Sequence, residues 1–512
     1  MTTPIRTLLA AALVLTLSAT TSVAQIMIGT TDYGTDLKSA VDAASTGDVI
    51  NVPDGTYVIS PTITVDDGIT IQGESEANTI LQVNTGSGYG LLIQSDDVTI
   101  QDVTFQSVQT GTVGGYMIHA ADPPTVFTNL ALRRVTFFGD VTSPPKRRTA
   151  LDIHGYDGVI LEDVTSRDAS SGNGMQFTGC KNVTASGITT SDNAWGSVAV
   201  YVSELFTTPR ASENVVIDGN TFSGADGPTG TVASIYSQAA AGVDNINVSV
   251  TGFDYIVRNT DFRTEAPDYD YFRPDEADAI AFALAFVTFE SASTIERITD
   301  GHFIVAPGMS IQTAVDTAPV GGTVEVRAGT YTEQVVISDD LDLIGDGLTT
   351  TTIVSPATLV STMTRNSSNF KPVVSVIGGS ASTIQGLTVD GAGNGAANRP
   401  FVGIGAANAG LTIDSCRVTA VREDPLNGNQ HGLGIYAFYD DLGTHTATVT
   451  NCEVDDFQKN GITINGYGGT ILDAIVTDNV VTGAGVLTAS NGDPAQNGIQ
   501  TQGVATTALV TG

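Results

Sequence analysis

The chain has 512 residues and a formal net charge of −34, from 55 acidic residues against 21 lysines and arginines. This length allows two or more domains with sizeable cores, and the charge disfavours nucleic acid and anionic lipid as partners. Acidic residues are spread along the whole chain. They indicate a solvated acidic surface suited to a salty habitat or, for some carboxylates, calcium binding.

The first 24 residues have the pattern of an export signal peptide. Arg6 supplies a positive charge, an apolar run follows at 8–17, and residues 22–24 form a small-residue cleavage site. The apolar run is short for a bilayer span, so a membrane anchor is the less favoured alternative. We expect a secreted, extracellular or cell-surface protein whose mature chain begins near Gln25 and has no membrane span.

Two copies of one sequence block lie at 36–75 and 310–347. Each contains a short amphipathic segment with Ala-Val-Asp, then a glycine turn, a strand and Gly-Thr-Tyr. Such a long-range duplication indicates two units of the same fold. We predict a short helix at 36–44 and another at 310–318, each covering the end of a stack of strands that would otherwise expose its edge.

Both halves consist of short β-rich runs separated by Gly, Asn, Asp and Ser. The repeating unit is a strand, a tight turn, a second strand and a variable loop, and in the first half it begins at Gly90, Tyr116, Thr149, Gly174 and Gly196. One unit cannot bury its own apolar face, whereas stacked units can. We therefore predict an all-β fold of two tandem right-handed parallel β-helices. A β-sandwich array is less favoured because two-residue hairpin turns are few.

The duplication also sets the expected domain boundaries. We predict the first β-helix over 25–255, a linker or C-terminal cap over 256–300, and the second β-helix over 301–512. The segment after Pro274 is expected to form a helix that closes the first stack. The last residues match the start of earlier units, so we expect the second β-helix to be incomplete at Gly512, or its open edge to be covered by another chain.

The pattern resembles the right-handed β-helix (pectin-lyase-like) superfamily over nearly all of the mature chain. The block at 310–347, with AVDTAP, AGTYTEQV and LIGDG, is similar to the opening of pectin methylesterases. The resemblance implies a carbohydrate-interacting or surface-associated protein whose partner is a polysaccharide or cell-surface glycan. The Gln-Asp-Thr, Asp-Phe-Ile and Gly-Arg-Pro-Trp motifs of the esterases are not found, so no esterase residues carry over.

In this superfamily the outward face of the strand before the tight turn usually lines the substrate groove. Strand alternation predicts which side chains face outward on successive units of the first half. The predicted pairs are Leu92 and Gln94, Met117 and His119, Asp152 and His154, Gln176 and Thr178, and Ala199 and Tyr201. We therefore expect His119 and His154 to stack on adjacent units, with Asp152 beside His154.

A basic cluster lies just before Asp152 in the sequence. The residues predicted to be catalytic are His119, Asp152, His154, Arg148 and Tyr201, and those predicted to bind substrate in this half are Lys146, Arg147 and Gln176. A histidine, tyrosine or arginine would take the proton at C5 of a uronate, and arginine or calcium would stabilise the resulting anion. The alternative is a polar exposed face with one compensating basic loop.

Two further aspartates, Asp168 and Asp192, occupy equivalent positions at strand ends, with Asp140 near the unit before. Carboxylates on neighbouring units can share calcium or act as a glycosidase pair, although the Asp-Asp, Gly-His-Gly and Arg-Ile-Lys motifs of polygalacturonases are not visible. Aspartates are also common in turns, which is the structural alternative. Calcium is the one cofactor that the sequence suggests.

The second half has fewer candidate residues. Its predicted outward pairs are Gly403 and Gly405, Gly434 and Tyr436, Thr463 and Asn465, and Gln500 and Gln502. Tyr436, Asn465 and Gln502 would form a neutral ladder for binding sugar, or else a merely solvated face. Cys416 and Cys452 share an inward column about 4.8 Å apart, which permits either a disulfide or two buried thiols.

Two functional interpretations therefore remain open. The leading one is an exported, carbohydrate-interacting or surface-associated β-helix protein without an assigned activity. The alternative is a polysaccharide lyase, or another polysaccharide-degrading enzyme, that acts on a uronate-containing polymer. A phage-type adhesive spike is disfavoured by the export signal.

Overall fold

Stacked strands make up most of the protein. The computed structural model describes residues 25–108, 115–121, 123–139, 149–169, 172–194, 196–223, 235–258, 269–286, 293–379, 381–468, 470–485, 496–503 and 506–511. Most strand pairs in these ranges are parallel and in register from one unit to the next. The predicted all-β, parallel β-helix fold is confirmed, whereas its division into two tandem β-helices stays a prediction.

From Leu91–Ile93 to Gly196–Tyr201, each unit of the first half combines one short strand with one long strand. The short strands form a sheet that we call the shared sheet, because it continues into the second half; here they are Ile63–Val65, Leu91–Ile93, Ile118–Ala120, Leu151–His154, Asn173–Thr178, Gly196–Tyr201 and Ile235–Gln238. The long strands belong to a 12-stranded N-terminal sheet, made of Met27–Ile28, Thr31–Asp32, Val49–Val52, Gly55–Ile59, Thr70–Gly73, Thr79–Val83, Val98–Ser107, Thr128–Phe138, Asp157–Arg167, Lys181–Ser191, Glu213–Ser223 and Ile246–Thr251.

Four of the long strands turn a corner at one residue with left-handed backbone conformation. Asp102, Arg134 and Asp163 have φ angles of 59°, 50° and 54°, and Gly187 takes the same place with 66°. Asp and Gly tolerate this region, whereas Arg134 is held there with an ion pair to Asp102. One long strand can thus supply two faces of a unit, which closes the cross-section around the core.

A ladder of polar side chains marks the tight turn that follows the shared sheet. Asn129 donates to Asp97 at 2.7 Å, Asn214 donates to Asn182 at 3.1 Å, and Asn247 donates to Asn214 at 3.0 Å. All five residues have positive φ. Asn and Asp adopt this conformation more readily than other side-chain-bearing residues. The asparagine amides donate hydrogen bonds from one unit to the next.

The second half repeats the arrangement with three sheets. Its shared-sheet strands are Gly322–Val326, Leu341–Gly345, Ser382–Gln385, Leu411–Asp414, Thr444–Thr450, Ile471–Thr477 and Thr506–Thr511. A six-stranded sheet contains Gly329–Thr332, Thr351–Val354, Thr388–Asp390, Arg417–Thr419, Glu453–Phe457 and Val480–Gly483. A seven-stranded sheet contains Val335–Ile337, Met363–Arg365, Ser368–Val376, Phe401–Ala407, Leu433–Tyr439, Asn460–Gly466 and Asn497–Gln502.

Three helices occur in the described ranges: α1 (Leu37–Ala43), α2 (Glu276–Phe286) and α3 (Ile311–Thr317). Helices α1 and α3 are the two predicted at the starts of the duplicated blocks. Asp36 caps α1 by accepting a hydrogen bond from the Ser39 amide at 3.0 Å, and Ser310 caps α3 through the Thr313 amide at 3.2 Å. Neither these helices nor α2 is long and apolar enough to cross a bilayer.

Between the two halves of the chain, the strands of the shared sheet pair antiparallel instead of parallel. Its strands Tyr255–Arg258, Tyr269–Arg273, Thr294–Arg297 and His302–Val305 pair antiparallel, and the last of them pairs parallel with Gly322–Val326. Helix α2 packs here, with the Phe282 ring 5.2 Å from that of Tyr271. The predicted helix after Pro274 is therefore present at this junction. The division into 25–255, 256–300 and 301–512 stays a prediction.

All three cysteines are buried free thiols. Cys416 and Cys452 lie on adjacent units, as the pairing of Arg417 with Glu453 requires. Cys416 Sγ lies 3.5 Å from the Ile384 carbonyl oxygen. Burial raises the pKa of the Cys416 thiol to about 12 and that of Cys452 to about 11. Both groups are therefore protonated and unreactive in the folded protein.

We expect a thiol reagent to detect no reactive cysteine in the native protein and all 3 cysteines after denaturation without reductant. Burial and the raised pKa values protect the folded thiols, and unfolding removes both effects. A colorimetric thiol assay with and without guanidinium measures this. A disulfide between Cys416 and Cys452 would instead leave only the Cys180 thiol in the denatured, unreduced sample.

Candidate active site

The register of the shared sheet fixes which outward side chains are neighbours. His119 pairs with Leu92 on one side and with Asp152 on the other. The predicted alignment of His119 with His154 is therefore wrong by two residues, and Met117, expected to face outward, is only 1% exposed. The Met-Ile run contains two apolar residues, which is too few for alternation to determine the register.

Asp152 lies at the centre of a hydrogen-bonded group that we call the Asp152 cluster, formed with His119, His154 and Gln176. His119 Nδ1 lies 2.7 Å from Asp152 Oδ2, and His154 Nε2 lies 3.0 Å from Oδ1. Gln176 Nε2 donates to Oδ1 at 2.6 Å. Three of these residues occupy one column of three successive units, and His154 lies two positions along the Asp152 strand.

The Asp152 carboxylate is fully buried, with 0% exposure, beneath the side chains that it binds. Burial alone would raise its pKa, but hydrogen bonds from His119 and His154 outweigh this effect and lower the pKa to about 2. Asp152 is therefore ionised at any physiological pH.

Thr149 supports the Asp152 cluster through Gln176. Thr149 Oγ1 donates to Gln176 Oε1 at 3.2 Å, so both ends of the Gln176 amide are bound within the protein. This arrangement fixes the amide with its N–H toward Asp152. The predicted role of Gln176 in substrate binding stays a prediction. The contacts of Gln176 are those of a residue that positions the Asp152 carboxylate.

Two tyrosines hold the His119 ring. The ring centroid of His119 lies 4.4 Å from that of Tyr89 and 5.3 Å from that of Tyr116, in stacked arrangements. His154 meets His119 edge-on at 5.5 Å. Neither tyrosine was predicted from the sequence. The signal was a tyrosine two residues before each of the strands Leu91–Ile93 and Ile118–Ala120, a position that strand alternation does not cover.

Tyr201 belongs to a separate polar group on the same sheet. Its hydroxyl bonds to the hydroxyl of Tyr236, Tyr236 donates to Asn173 Oδ1 at 3.1 Å, and Asn173 donates back to Tyr201 at 3.1 Å. Burial raises the pKa of Tyr201 well above its ordinary value and that of Tyr236 to about 12. The Tyr201 hydroxyl is therefore bound within this group and not to the Asp152 cluster. Its predicted catalytic role stays a prediction.

The predicted basic cluster of Lys146, Arg147 and Arg148 lies outside the described residues, as does Asp140. Asp168 and Asp192 do occupy equivalent positions after two long strands, with φ angles of 62° and 54°. That left-handed backbone is the conformation of turn aspartates. Within the described ranges, no group of three or more His, Cys, Asp or Glu residues could hold a metal. Calcium binding by Asp168 and Asp192 stays a prediction.

The predicted ladder in the second half is wrong by two residues at Tyr436, whereas the predicted alignment of Asn465 with Gln502 is confirmed. Tyr436 pairs with Thr463, whereas Phe438 pairs with Asn465, which in turn pairs with Gln502. Tyr436 and Asn465 are each only 5% exposed. Tyr436 packs against Met363 and Phe370, which belong to the antiparallel pair of Met363–Arg365 with the start of Ser368–Val376. The Phe370 ring lies 4.9 Å from that of Tyr436. Tyr436, Asn465 and Gln502 therefore do not share an open face. Sugar binding by these residues stays a prediction.

A model of the family described as rhamnogalacturonase A/epimerase, pectate lyase-like, matches residues 27–226, which is less than half of the chain. The match confirms the resemblance to the pectin-lyase-like superfamily, and it covers the part of the chain that contains the Asp152 cluster. No curated protein matches the chain.

Several solved structures are similar at low identity. The catalytic domain of a GH87 α-1,3-glucanase in complex with nigerose is 11% identical, with a TM-score of 0.28; the alignment covers 90% of this chain but only 63% of that domain. The A-module of an Azotobacter vinelandii mannuronan C-5 epimerase is 10% identical, with a TM-score of 0.22 and coverage of 92% and 93%. A pectin methylesterase in complex with a hexasaccharide is 12% identical, with a TM-score of 0.22 and coverage of 37% and 61%. Identities and TM-scores this low do not indicate what activity the chain has.

We expect Asp152→Asn to destabilise the fold by ~1–3 kcal/mol at neutral pH, because the amide cannot accept hydrogen bonds from both imidazoles and Gln176. Asp152 has a folded pKa of about 2 against an ordinary 3.8. Its contribution is therefore present above pH 3.8 and is lost as the pH falls through about 2. Thermal unfolding of both proteins, from neutral pH down to about pH 3, should show the difference in Tm shrinking below pH 4.

The matched control for this experiment is Asp66→Asn, which changes an exposed carboxylate in the same half of the chain. We expect its Tm to follow that of the parent protein throughout. A difference between the parent and Asp152→Asn that is small at neutral pH, or that stays constant on acidification, would contradict the assignment of Asp152 as the ionised centre of the cluster.

Proposed function

We propose that the first half of the chain is a polysaccharide-acting enzyme that transfers a proton at His119, and that it is a lyase for a uronate-containing polymer. The observation that carries this proposal is the buried Asp152 carboxylate bound to His119 and His154 on the outward face of the shared sheet. Burying an ion between two imidazoles is costly, and a surface that only binds sugar has no need of it. Proton transfer does need such a pair.

The hydrogen bonds determine which histidine nitrogen acts as the base. An ionised carboxylate only accepts hydrogen bonds, so His119 Nδ1 and His154 Nε2 carry the protons. The basic nitrogens of the neutral rings are then His119 Nε2 and His154 Nδ1. His154 Nδ1 is buried and has no partner within the described ranges. We therefore assign His119 as the general base and His154 as a positioning residue.

The state of Asp152 favours a lyase over a glycosidase. A retaining or inverting glycosidase needs a protonated carboxylic acid beside the scissile bond, together with a second carboxylate. Asp152 has a pKa of about 2 and gives up its proton far below neutral pH. Among the described contacts of the cluster, Asp152 supplies the only carboxylate.

The reaction would be a β-elimination. His119 Nε2 takes the proton from C5 of the uronate, the electron pair of that bond forms a C4–C5 double bond, and the C4–O glycosidic bond breaks. The leaving oxygen takes up a proton from the imidazolium or from water. Asp152 stabilises the imidazolium while it exists, and the stacked Tyr89 and Tyr116 rings keep the His119 ring in one orientation.

The substrate class follows from the chemistry of this step. A carboxylate at C5 makes the neighbouring proton acidic, provided that a cation neutralises the charge that develops. Lys146, Arg147 and Arg148 are proposed for that task, because Arg148 directly precedes Thr149 of the cluster in the sequence. Calcium held at Asp168 and Asp192 is the alternative source of positive charge. Secretion of the mature chain remains part of the proposal.

A second candidate function is non-catalytic binding of a polysaccharide. The observation in its favour is the pair of parallel tyrosines on the outward side, with the Tyr89 and Tyr116 centroids 5.9 Å apart. Amphipathic rings of this kind offer an apolar face for sugar C–H groups and a hydroxyl for sugar oxygens. The experiment below separates the two functions, because binding alone releases no unsaturated product.

We expect the mature chain to release unsaturated oligosaccharides from polygalacturonate or alginate, and His119→Gln to lower kcat by about 10²- to 10⁴-fold, the usual contribution of a general base. The measurement is the ultraviolet absorbance of the C4–C5 double bond, with and without calcium. His445→Gln is the matched control, because His445 is also bound to a carboxylate, Asp441, at 2.7 Å and stacked on a tyrosine, Tyr439, at 4.8 Å.

The control is expected to keep the rate of the parent protein, since His445 lies in the second half of the chain. Binding of polymer without any unsaturated product would favour the second candidate function. The lyase proposal fails if no uronate polymer yields product, or if His119→Gln is as active as the control.

A further inference from the structure

A pocket of about 500 Å³ lies at a corner of the first β-helix, beyond the turn that follows the Asp152 cluster. Its walls come from the loop after the strand Gly196–Tyr201 and from the outward side chains that begin three long strands. The lining residues used below are Lys181, Phe206, Thr208, Pro209, Arg210 and Glu213. Neither the predicted catalytic residues nor the Asp152 cluster contributes to this pocket.

Backbone contacts hold the loop that forms the pocket. Ser203 and Arg210 exchange two backbone hydrogen bonds of 2.8 Å, which closes the loop at its base. Arg210 Nε donates to the Gly179 carbonyl at 2.6 Å. Phe206 lies so close to Gly155 that a Cβ atom there would be 2.6 Å from the Phe206 ring. The loop is therefore built against two tight turns that need glycine.

Those two turns connect the pocket with the Asp152 cluster. Gly155 directly follows His154, and Gly179 follows Thr178, which pairs with His154 in the shared sheet. The pocket and the cluster thus lie on either side of one short turn. An extended polymer that crosses this corner can contact both.

The pocket has the chemistry to bind an anion. Arg210 Nη2 is buried and has no acceptor within the described ranges. The described residues leave this part of the guanidinium without a counter-charge, and a carboxylate in the pocket would supply one. Lys181 is paired with Glu213 at the pocket edge, so the lining keeps one positive charge in excess, in a chain whose net charge is −34. The Arg210 guanidinium carbon lies 5.5 Å from the Phe206 ring centroid, which places an apolar surface beside it.

We propose that this pocket binds one uronate residue of the polymer, with its carboxylate at Arg210 and its apolar ring face on Phe206 and Pro209. The choice of a uronate rests on the function proposed above, whereas the preference for an anion rests on the pocket itself. Arg210 then gives the described part of the chain a cation for polymer binding that is independent of Lys146, Arg147 and Arg148. Arg210 was not predicted from the sequence, because it is isolated between Pro209 and Ala211.

The test is calorimetric binding of oligogalacturonate, oligomannuronate and a neutral gluco-oligosaccharide to His119→Gln protein, which does not consume the ligand. We expect both uronate oligomers to bind and the neutral oligomer to bind more weakly. Adding Arg210→Gln should weaken uronate binding by about 10-fold or more, which is the value of a charged hydrogen bond. Adding Arg210→Lys should restore part of the affinity. In the parent background, Arg210→Gln should raise KM with little change in kcat.

Two further variants separate a binding role from a structural one. Thr208→Trp fills the pocket from its exposed rim and leaves the bond from Arg210 to Gly179 in place, so it should block uronate binding without lowering the Tm. Arg297→Gln is the control for general charge, because Arg297 is paired with Asp300 at the surface of the junction. It should bind as the parent protein does.

Each outcome decides between the proposals. Uronate binding that depends on Arg210, without turnover of any polymer, would leave this inference standing and overturn the lyase. Turnover with affinity and KM unchanged in Arg210→Gln and Thr208→Trp would overturn this inference and leave the lyase standing. Binding of neutral and uronate oligomers with equal affinity, or of neither, would also overturn it.

Discussion

In-register parallel pairing between successive units is the constraint on which the rest of the structure depends. Because each strand pairs residue for residue with the strands above and below, side chains at equivalent positions form straight columns. One column brings together His119, Asp152 and Gln176, which are far apart in the sequence. The same rule aligns the asparagines of the tight turns and the two thiols of the second core. A change of two residues in one register alters every neighbour in a column.

The Asp152 cluster is costly for the fold. Three side chains are needed to keep one carboxylate ionised in a place that water does not reach, and the strand columns hold them there. The stable backbone of the β-helix thus supports an arrangement that would not persist on a flexible loop. The nearby pocket extends this principle, because its loop is fixed on two glycine turns while Arg210 Nη2 has no acceptor within the described residues. The Asp152 cluster and Arg210 both lie within residues 27–226, which the family model matches.

Most of the fold could be predicted from the sequence, and the candidate site only in part. The duplicated blocks carry helix caps at Asp36 and Ser310, and repeated strand–turn–strand units have few alternative ways to bury their apolar faces. His119, Asp152 and His154 followed from alternation, which says which side of a strand a residue occupies. Alternation does not determine register in a run as short as Met117–Ile118. Nor does it identify a side chain such as Tyr89 or Arg210, which comes from a connecting segment, or a pair of strands that covers Tyr436.

The central claim is that the buried Asp152 carboxylate accepts hydrogen bonds from both histidines and so leaves His119 Nε2 as the base. Nitrogen-15 NMR of histidine-labelled protein tests this directly, with assignment by His119→Gln and His154→Gln. At a pH where the rings are neutral, we predict that His119 carries its proton on Nδ1 and His154 on Nε2. A His119 ring protonated on Nε2, or rings that exchange freely between tautomers, would contradict the account.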